Sequence, residues 1–154
     1  MLRWLFIAVV AFFILGQVTR LRPSKRDQQL QALRAAAAQA GLSVRFWTSR
    51  NSGYQYRQLP ASGFLYSLPW LSHGDAPSRW AVWVSETGEM VTLAGSPPEL
   101  AKGWLASFRQ RFPDGWALLE CTQPGLGVLW QERGTEEDVK SLAAALDLLR
   151  KSLL

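Results

Sequence analysis

Histidine and cysteine are nearly absent from this chain of 154 residues, which contains only His73 and Cys121. A single cysteine cannot form a disulfide within the chain, and a lone thiol is compatible with a reducing compartment. Because a zinc site needs about four ligands, one histidine and one cysteine do not supply it. We therefore expect neither a disulfide framework nor a bound metal.

Neither of these two residues has the surroundings of a catalytic group. His73 lies in the turn-forming stretch 71–78 (LSHGDAPS), where a surface loop is the simplest interpretation despite the aspartate two residues later. Cys121 lies on a predicted apolar strand, where burial should raise the pKa of its thiol and suppress the reactive thiolate. We predict that the chain is not an enzyme and has no catalytic residue.

A phosphate-binding glycine motif is also missing. Gly125–Leu126–Gly127 lies between two predicted strands, whereas a nucleotide-binding loop joins a strand to a helix. The acids at 136–138 (EED) are explained by a helix N-terminus, where the helix dipole favours negative charge. We expect no bound cofactor.

Excess charge is confined to the start of the chain. Residues 1–34 contain six of the 17 basic residues and one of the 12 acids, so residues 35–154 are neutral, with 11 of each sign. A nucleic-acid-binding domain has a basic stripe across a folded face, and no such stripe is evident in this sequence. We expect no nucleic-acid partner.

The longest apolar run is residues 4–15 (WLFIAVVAFFIL). With its flanks it provides about 17 residues for a bilayer, which is the lower end of the range for a spanning helix. A cleaved signal peptide is the alternative, but the following residues 16–20 (GQVTR) lack a small-residue cleavage pattern. We predict that residues 1–20 form an uncleaved transmembrane anchor.

Basic residues directly follow this apolar run. Arg20, Arg22, Lys25 and Arg26 flank its C-terminal side, and Arg3 precedes it. Cytoplasmic flanks of membrane helices carry the excess of lysine and arginine, and such side chains can contact anionic lipid. The pattern predicts that the C-terminal domain lies in the cytoplasm.

Leu21–Arg22–Pro23 followed by Lys25–Arg26, directly after an apolar helix, resembles the small accessory subunit of the bacterial Sec preprotein translocase. That family has one N-terminal membrane helix followed by this motif, and its soluble part faces the cytoplasm. The resemblance covers residues 4–34, and residues 96–154 have no counterpart in that family. It implies a location in the bacterial inner membrane and a role related to protein translocation.

The rest of the chain predicts an α+β fold. Residues 21–41 are predicted as a basic juxtamembrane segment and a helix, which Ser24 and Asp27 cap at the start. Residues 42–154 are predicted as a soluble α+β domain with a mostly antiparallel sheet, so that the anchor is followed by about three helices. Pro69 places the strand at 63–70 on a sheet edge. The other strands are predicted at 42–47, 79–85, 90–94, 116–122 and 127–132, with helices near 97–111 and 135–151.

Arginines and aromatic residues alternate at 45–57 (RFWTSRNSGYQYR). Such residues are frequent in interface hot spots, so Trp47, Arg50, Tyr54 and Tyr56 are candidate partner-binding residues. A loop with solvated arginines is the plainer interpretation.

Trp83 is a fifth candidate because Trp80 and Trp83 point to opposite faces of one predicted strand. If helices cover only one face, one of these tryptophans needs another helix, a partner or the membrane surface as its cover.

The leading functional hypothesis is a membrane-anchored accessory or adaptor protein whose cytoplasmic domain binds another membrane protein or complex. The alternative is a sensor domain that binds a small molecule or a lipid, and an enzyme is third. An uncovered aromatic sheet face would favour the adaptor. A pocket lined by convergent polar groups would favour the sensor.

Overall fold

The computed structural model describes residues 24–71, 77–111 and 116–154, together with Ile7, Val9, Val10 and Phe12. These four N-terminal residues are helical, and their side chains are exposed. Within the described ranges, no helix is both long and apolar enough to cross a membrane. Most of the predicted anchor (residues 1–20) lies outside these ranges, and so do Arg22 and His73.

The chain divides into two compact units, Met1–Gln31 and Ala32–Leu154. The larger unit contains every strand that the structure describes. In chain order the elements are α1 (Lys25–Gln39), β1 (Ser43–Thr48), the one-turn helix α2 (Ser49–Ser52), β2 (Ser62–Pro69), β3 (Trp80–Val84), β4 (Met90–Ala94), α3 (Glu99–Arg111), β5 (Ala117–Thr122), β6 (Gly125–Trp130) and α4 (Glu136–Ser152).

The strands form one six-stranded sheet in the order β1-β2-β6-β5-β3-β4, and every neighbouring pair is antiparallel. Consecutive strands pair as the hairpins β1–β2, β3–β4 and β5–β6, and the last hairpin inserts between the other two. The prediction of an α+β fold with a mostly antiparallel sheet is confirmed. From residue 24 onward the described residues contain four helices, and the sequence did not indicate α2.

The prediction that Pro69 places its strand on a sheet edge is wrong. Strand β2 lies inside the sheet, between β1 and β6, and the two edges are β1 and β4. Proline is tolerated because it is the last residue of the strand, so its missing N–H interrupts no ladder beyond it. The Pro69 carbonyl accepts a hydrogen bond from Arg150 Nη1 at 2.5 Å.

One face of the sheet, called the helical face below, packs against α3 and α4. Helix α3 contacts β3 and β5, and α4 contacts β2 and β6. Thr135 and Asp138 form a reciprocal capping box at the start of α4. The apolar stripe of α4 is buried, including Val139, Leu142 and Leu146.

The part of α1 that belongs to the larger unit, residues 32–39, is held on the helical face by a buried carboxylate. Glu132 accepts hydrogen bonds from Arg34 Nε at 3.0 Å and Arg34 Nη2 at 2.9 Å, and from the Tyr66 hydroxyl at 2.6 Å. The Arg34 guanidinium also lies over the Phe64 ring, 3.7 Å from its centroid. Glu132 has φ 53°, a left-handed conformation that non-glycine residues rarely adopt.

The opposite face, called the loop face, is partly covered by residues 49–61, the covering loop. Tyr54 is buried in a core cluster that includes Trp83, and the covering loop also packs Tyr56 and Leu59 against this cluster. Trp116 stacks on Trp83 with 5.2 Å between ring centroids. Trp83 is thus covered by its own chain, where the sequence had suggested another helix, a partner or a membrane.

Candidate functional site

A row of small residues crosses the loop face. The strand register aligns one residue from each of the six strands on this face, and five of the six side chains are small or absent. The exception is a glutamate. From edge to edge the row is Ser43, Ser67, Gly127, Glu120, Ala81 and Ala94.

The next row on the same face has large apolar side chains, among them Leu65, Leu129, Leu118 and Trp83, and this row lies under the covering loop. The change in side-chain volume from one row to the next leaves a hollow in the loop face. We call this hollow, at Glu120 and the small-residue row, the Glu120 depression.

The Glu120 depression consists of two cavities of about 220 Å³ each. They share Arg45, Thr122 and Pro124 as lining residues. The polar cavity is completed by Phe46, Trp47, Thr48, Asn51, Ser52, Arg79 and Glu120. The less polar cavity is completed by Ser43, Leu65, Ser67, Pro69, Gly125 and Gly127.

The two glycines of β6 are required by the close approach of β2. A Cβ atom at Gly125 would lie 2.1 Å from the carbonyl oxygen of Leu68. A Cβ atom at Gly127 would lie 3.1 Å from both Leu65 Cγ and Ser67 Cβ. Strand pairing therefore explains the glycines at 125 and 127, and their absent side chains leave the floor of the depression open.

Glu120 is the central charged group of the depression and is only 4% exposed. Its carboxylate accepts hydrogen bonds from Arg45 Nη2 at 2.9 Å and from the Tyr54 hydroxyl at 3.2 Å. Burial, and secondarily the negative charge of Glu120, raise the pKa of Tyr54, so the hydroxyl keeps its proton and donates. These contacts compensate the desolvation of a carboxylate within a sheet.

Arg79 provides a second guanidinium at the rim. Its Nη2 donates to the carbonyl oxygen of Ser52 at 2.9 Å, and its Cζ lies 5.4 Å from the centroid of the Tyr54 ring. These contacts connect Arg79 to the covering loop, because Ser52 and Tyr54 both belong to it. The covering loop is thereby positioned beside the depression by side chains from distant parts of the chain.

The five sequence-predicted partner-binding residues do not form one exposed surface. Trp47, Tyr54 and Trp83 are buried in the core of the loop face, and Tyr56 is partly buried against it. Trp47 also lines the polar cavity, whereas Arg50 is exposed and does not line it. Hot spots must be accessible, so the buried aromatics act in this structure as core residues.

Among the membrane-flanking basic residues, Lys25 and Arg26 are exposed in the first turn of α1. Arg20 and Arg22 lie outside the described residues. The predicted capping of this helix is confirmed, because Ser24 N donates to the Asp27 carboxylate and Asp27 N donates to the Ser24 hydroxyl, each at 3.1 Å.

The sequence prediction missed Glu120, Arg79 and Thr122. One signal was present, since Glu120 is a charged residue within the otherwise apolar stretch 117–121 (ALLEC). Strand alternation places it on the face opposite Cys121, and a buried charge requires a partner. The identity of the partners depends on pairing between strands that are distant in sequence.

The described lining residues of the depression offer many hydrogen-bonding groups. They provide two guanidinium groups, one paired carboxylate, an amide and several hydroxyls. Cys121 is buried, and burial together with Glu120 raises the pKa of its thiol to about 11. Within the described ranges, no three or more potential metal-ligating side chains lie close enough to hold an ion.

Comparison of this chain with protein-family models, with curated proteins and with solved structures gave no match. The resemblance of residues 4–34 to the translocase subunit therefore stays a prediction based on the motif at Leu21–Arg22–Pro23.

Proposed function

We propose that this chain is a single-pass, membrane-anchored accessory protein whose α+β domain acts by binding a small ligand in the Glu120 depression. The observation that carries this proposal is the convergence of Arg45, Arg79 and Glu120 on one cavity. A concave site with a few convergent polar groups is typical of small-molecule binding. The sensor hypothesis therefore comes before the adaptor hypothesis, because the aromatic face that a partner would have used is covered by its own loop.

The membrane part of this proposal rests on the apolar run at 4–15 and on the basic residues that follow it. The basic flank favours a bacterial inner-membrane location with the domain in the cytoplasm. A fluorescent protein fused after Leu154 should be bright, and a periplasmic phosphatase at the same position should be inactive. The reverse pattern would place the domain in the periplasm.

Filling the depression tests the ligand-binding function. Thr122 lines both cavities, so Thr122→Trp should occupy them, whereas Gln123 is exposed in the adjacent turn. A thermal-shift screen of metabolites and short-chain lipids on the full chain in non-ionic detergent should yield stabilising compounds. Thr122→Trp should lose these shifts and Gln123→Trp should keep them. Equal shifts for both variants, or no stabilising compound at all, would contradict the proposal.

An adaptor is the second candidate function, and a groove between α3 and α4 favours it. Trp104, Phe108, Leu142 and Ala145 line this cavity of about 230 Å³, together with the small side chains of Ser107 and Ser141 and the Arg111–Asp138 ion pair. Small residues allow close approach of another helix, so the expected occupant is an apolar helix of a membrane-protein partner. The resemblance at 4–34 makes a translocation complex the first partner to seek.

Gentle detergent extraction followed by identification of co-purifying proteins tests the adaptor role. Ala145 lines the groove, whereas the neighbouring Ala144 is exposed and does not line it. A true partner should be lost with Ala145→Arg and retained with Ala144→Arg. A protein that co-purifies with both variants does not use this groove.

A further inference from the structure

We infer that the Glu120 depression takes a small amphipathic oxyanion, which is a carboxylate or phosphate group bearing a short apolar chain. This inference rests on the proposed ligand-binding function and specifies its ligand class. The polar cavity would hold the anion, and the adjoining cavity over Gly125 and Gly127 would hold the apolar chain.

Charge favours an anion. Among the described residues that line the two cavities, Arg45 and Arg79 provide two guanidinium groups and Glu120 provides one carboxylate, which is an excess of one positive charge. Glu120 is already paired, because Arg45 and the Tyr54 hydroxyl each donate to one of its oxygens. A cationic ligand would meet two arginines and, within the described part of the lining, no unpaired carboxylate, whereas an oxyanion accepts hydrogen bonds from guanidinium groups in favourable geometry.

The hydrogen-bond donors of the lining also favour a ligand with hydrogen-bond acceptor atoms. An arginine carries several N–H donors, and Asn51 and the Thr48 hydroxyl add further donors to the lining, whereas the Thr122 hydroxyl already donates to the Gly125 carbonyl oxygen. An acceptor oxygen that enters this lining therefore meets donors from both guanidinium groups.

Size and polarity specify the rest of the ligand. The cavity that adjoins the polar one is lined by Leu65, Pro69, Pro124 and the two glycines of β6, with serines at its edge. Each cavity, at about 220 Å³, is smaller than a drug-sized pocket of roughly 300–1,000 Å³. A short aliphatic chain on a single anionic group fits this division better than a nucleotide or a long acyl chain.

Isothermal titration of the full chain in non-ionic detergent tests the assignment with four matched probes. These are hexanoate, hexyl phosphate, hexanol and hexylammonium, which share one chain and differ in their head group. At least one of the two anions should bind about 10-fold or more tighter than hexanol and hexylammonium. Hexanol or hexylammonium binding as tightly as both anions would overturn the assignment.

Substitutions of arginine test whether the anion binds in the Glu120 depression. Arg79→Gln should weaken anion binding by about 10-fold, and Arg79→Lys, which keeps the charge but loses the planar fork, should have a smaller effect. Arg50→Gln is the matched control, because Arg50 is exposed on α2 and does not line the depression. If Arg50→Gln weakened binding as much as Arg79→Gln, general charge attraction would explain the binding and the site would be wrong. The near-ultraviolet circular dichroism of each variant checks its fold, and Arg79→Lys replaces Arg79→Gln if the latter is misfolded.

Two further comparisons identify the source of the anion and distinguish failure of the oxyanion assignment from failure of the proposed ligand-binding function. Dihexanoyl phosphatidic acid binding tighter than hexyl phosphate would identify a lipid head group, and the opposite order would identify a soluble metabolite. If hexanol or hexylammonium binds best and Thr122→Trp abolishes it, the depression is a ligand site but the oxyanion assignment fails. If no probe binds and the thermal-shift screen yields nothing, the proposed function fails as well.

Discussion

Replacing Trp83 with alanine is expected to lower the free energy of unfolding by about 3–5 kcal/mol, the range for truncating a buried aromatic side chain. Trp83 is 2% exposed, packs in the core cluster with Leu118 and Leu129, and stacks on Trp116. The change removes a large apolar side chain beneath Tyr54, so it also removes support for the covering loop. The expected loss is thus a structural effect, although the sequence alone had left open a lost partner.

Chemical denaturation of the full chain in detergent, followed by circular dichroism, measures this loss. Leu148→Ala is the matched control, because Leu148 is 68% exposed and its truncation should change stability by no more than about 0.5 kcal/mol. Similar losses for Trp83→Ala and Leu148→Ala would mean that the covering loop does not close over Trp83 in solution.

Replacing Glu132 with alanine is expected to cost about 2–4 kcal/mol, because it removes one partner of a largely buried ion pair. The substitution leaves the Arg34 guanidinium and the buried Tyr66 hydroxyl without their carboxylate. The side chain of Arg34 is 31% exposed and can recover hydration, which places the cost below that of a fully buried pair. The attachment of residues 32–39 of α1 to the sheet should weaken, and amide exchange in this part of the helix should become faster.

Glu132→Gly separates the lost carboxylate from the backbone strain. Glycine removes the same hydrogen bonds but adopts the left-handed φ of 53° without the steric cost of a Cβ atom. It should therefore be about 1 kcal/mol less destabilising than Glu132→Ala. Equal stability losses for the two variants would show that residue 132 is not strained, and a negligible loss for both would show that the ion pair does not hold α1.

Local sequence patterns predicted the elements well. The capping pair at Ser24 forms as expected, because it joins groups only three residues apart. The β3–β4 and β5–β6 hairpins likewise follow from turn residues between apolar strands. The apolar stripe of α4 is buried because a helix repeats every 3.6 residues, which the sequence displays directly.

The sequence also indicated the segment at 45–57 as a candidate partner-binding segment, because arginines and aromatic residues alternate there. Its alternating arginines and aromatics made Trp47 and Tyr54 candidates for partner binding, with a solvated loop as the plainer interpretation, whereas both side chains are buried. A loop sequence has no helix or strand periodicity, so it does not indicate which of its aromatic side chains face the solvent and which face the core. Burial of Tyr54 depends on the sheet beneath it, which is assembled from strands elsewhere in the chain.

Local sequence patterns did not predict the order of the strands in the sheet. Pro69 indicates the end of a strand, but the insertion of the β5–β6 hairpin between β2 and β3 makes that strand internal. Each hairpin is specified by nearby residues, whereas the pairing of one hairpin with another is decided by how their faces pack into a common core.

What the sequence by itself determined is the class of the fold, the position of most elements and the apolar and basic character of the first residues. Only the tertiary structure decided the Glu120 depression, because its floor is a row with one residue from each strand. Glu120 accepts hydrogen bonds from Arg45, which is 75 residues away in sequence, and from Tyr54, which is 66 residues away. A glutamate within an apolar strand indicates that its buried carboxylate needs hydrogen-bond donors. Which residues provide those donors depends on strand register, which is a property of the assembled sheet.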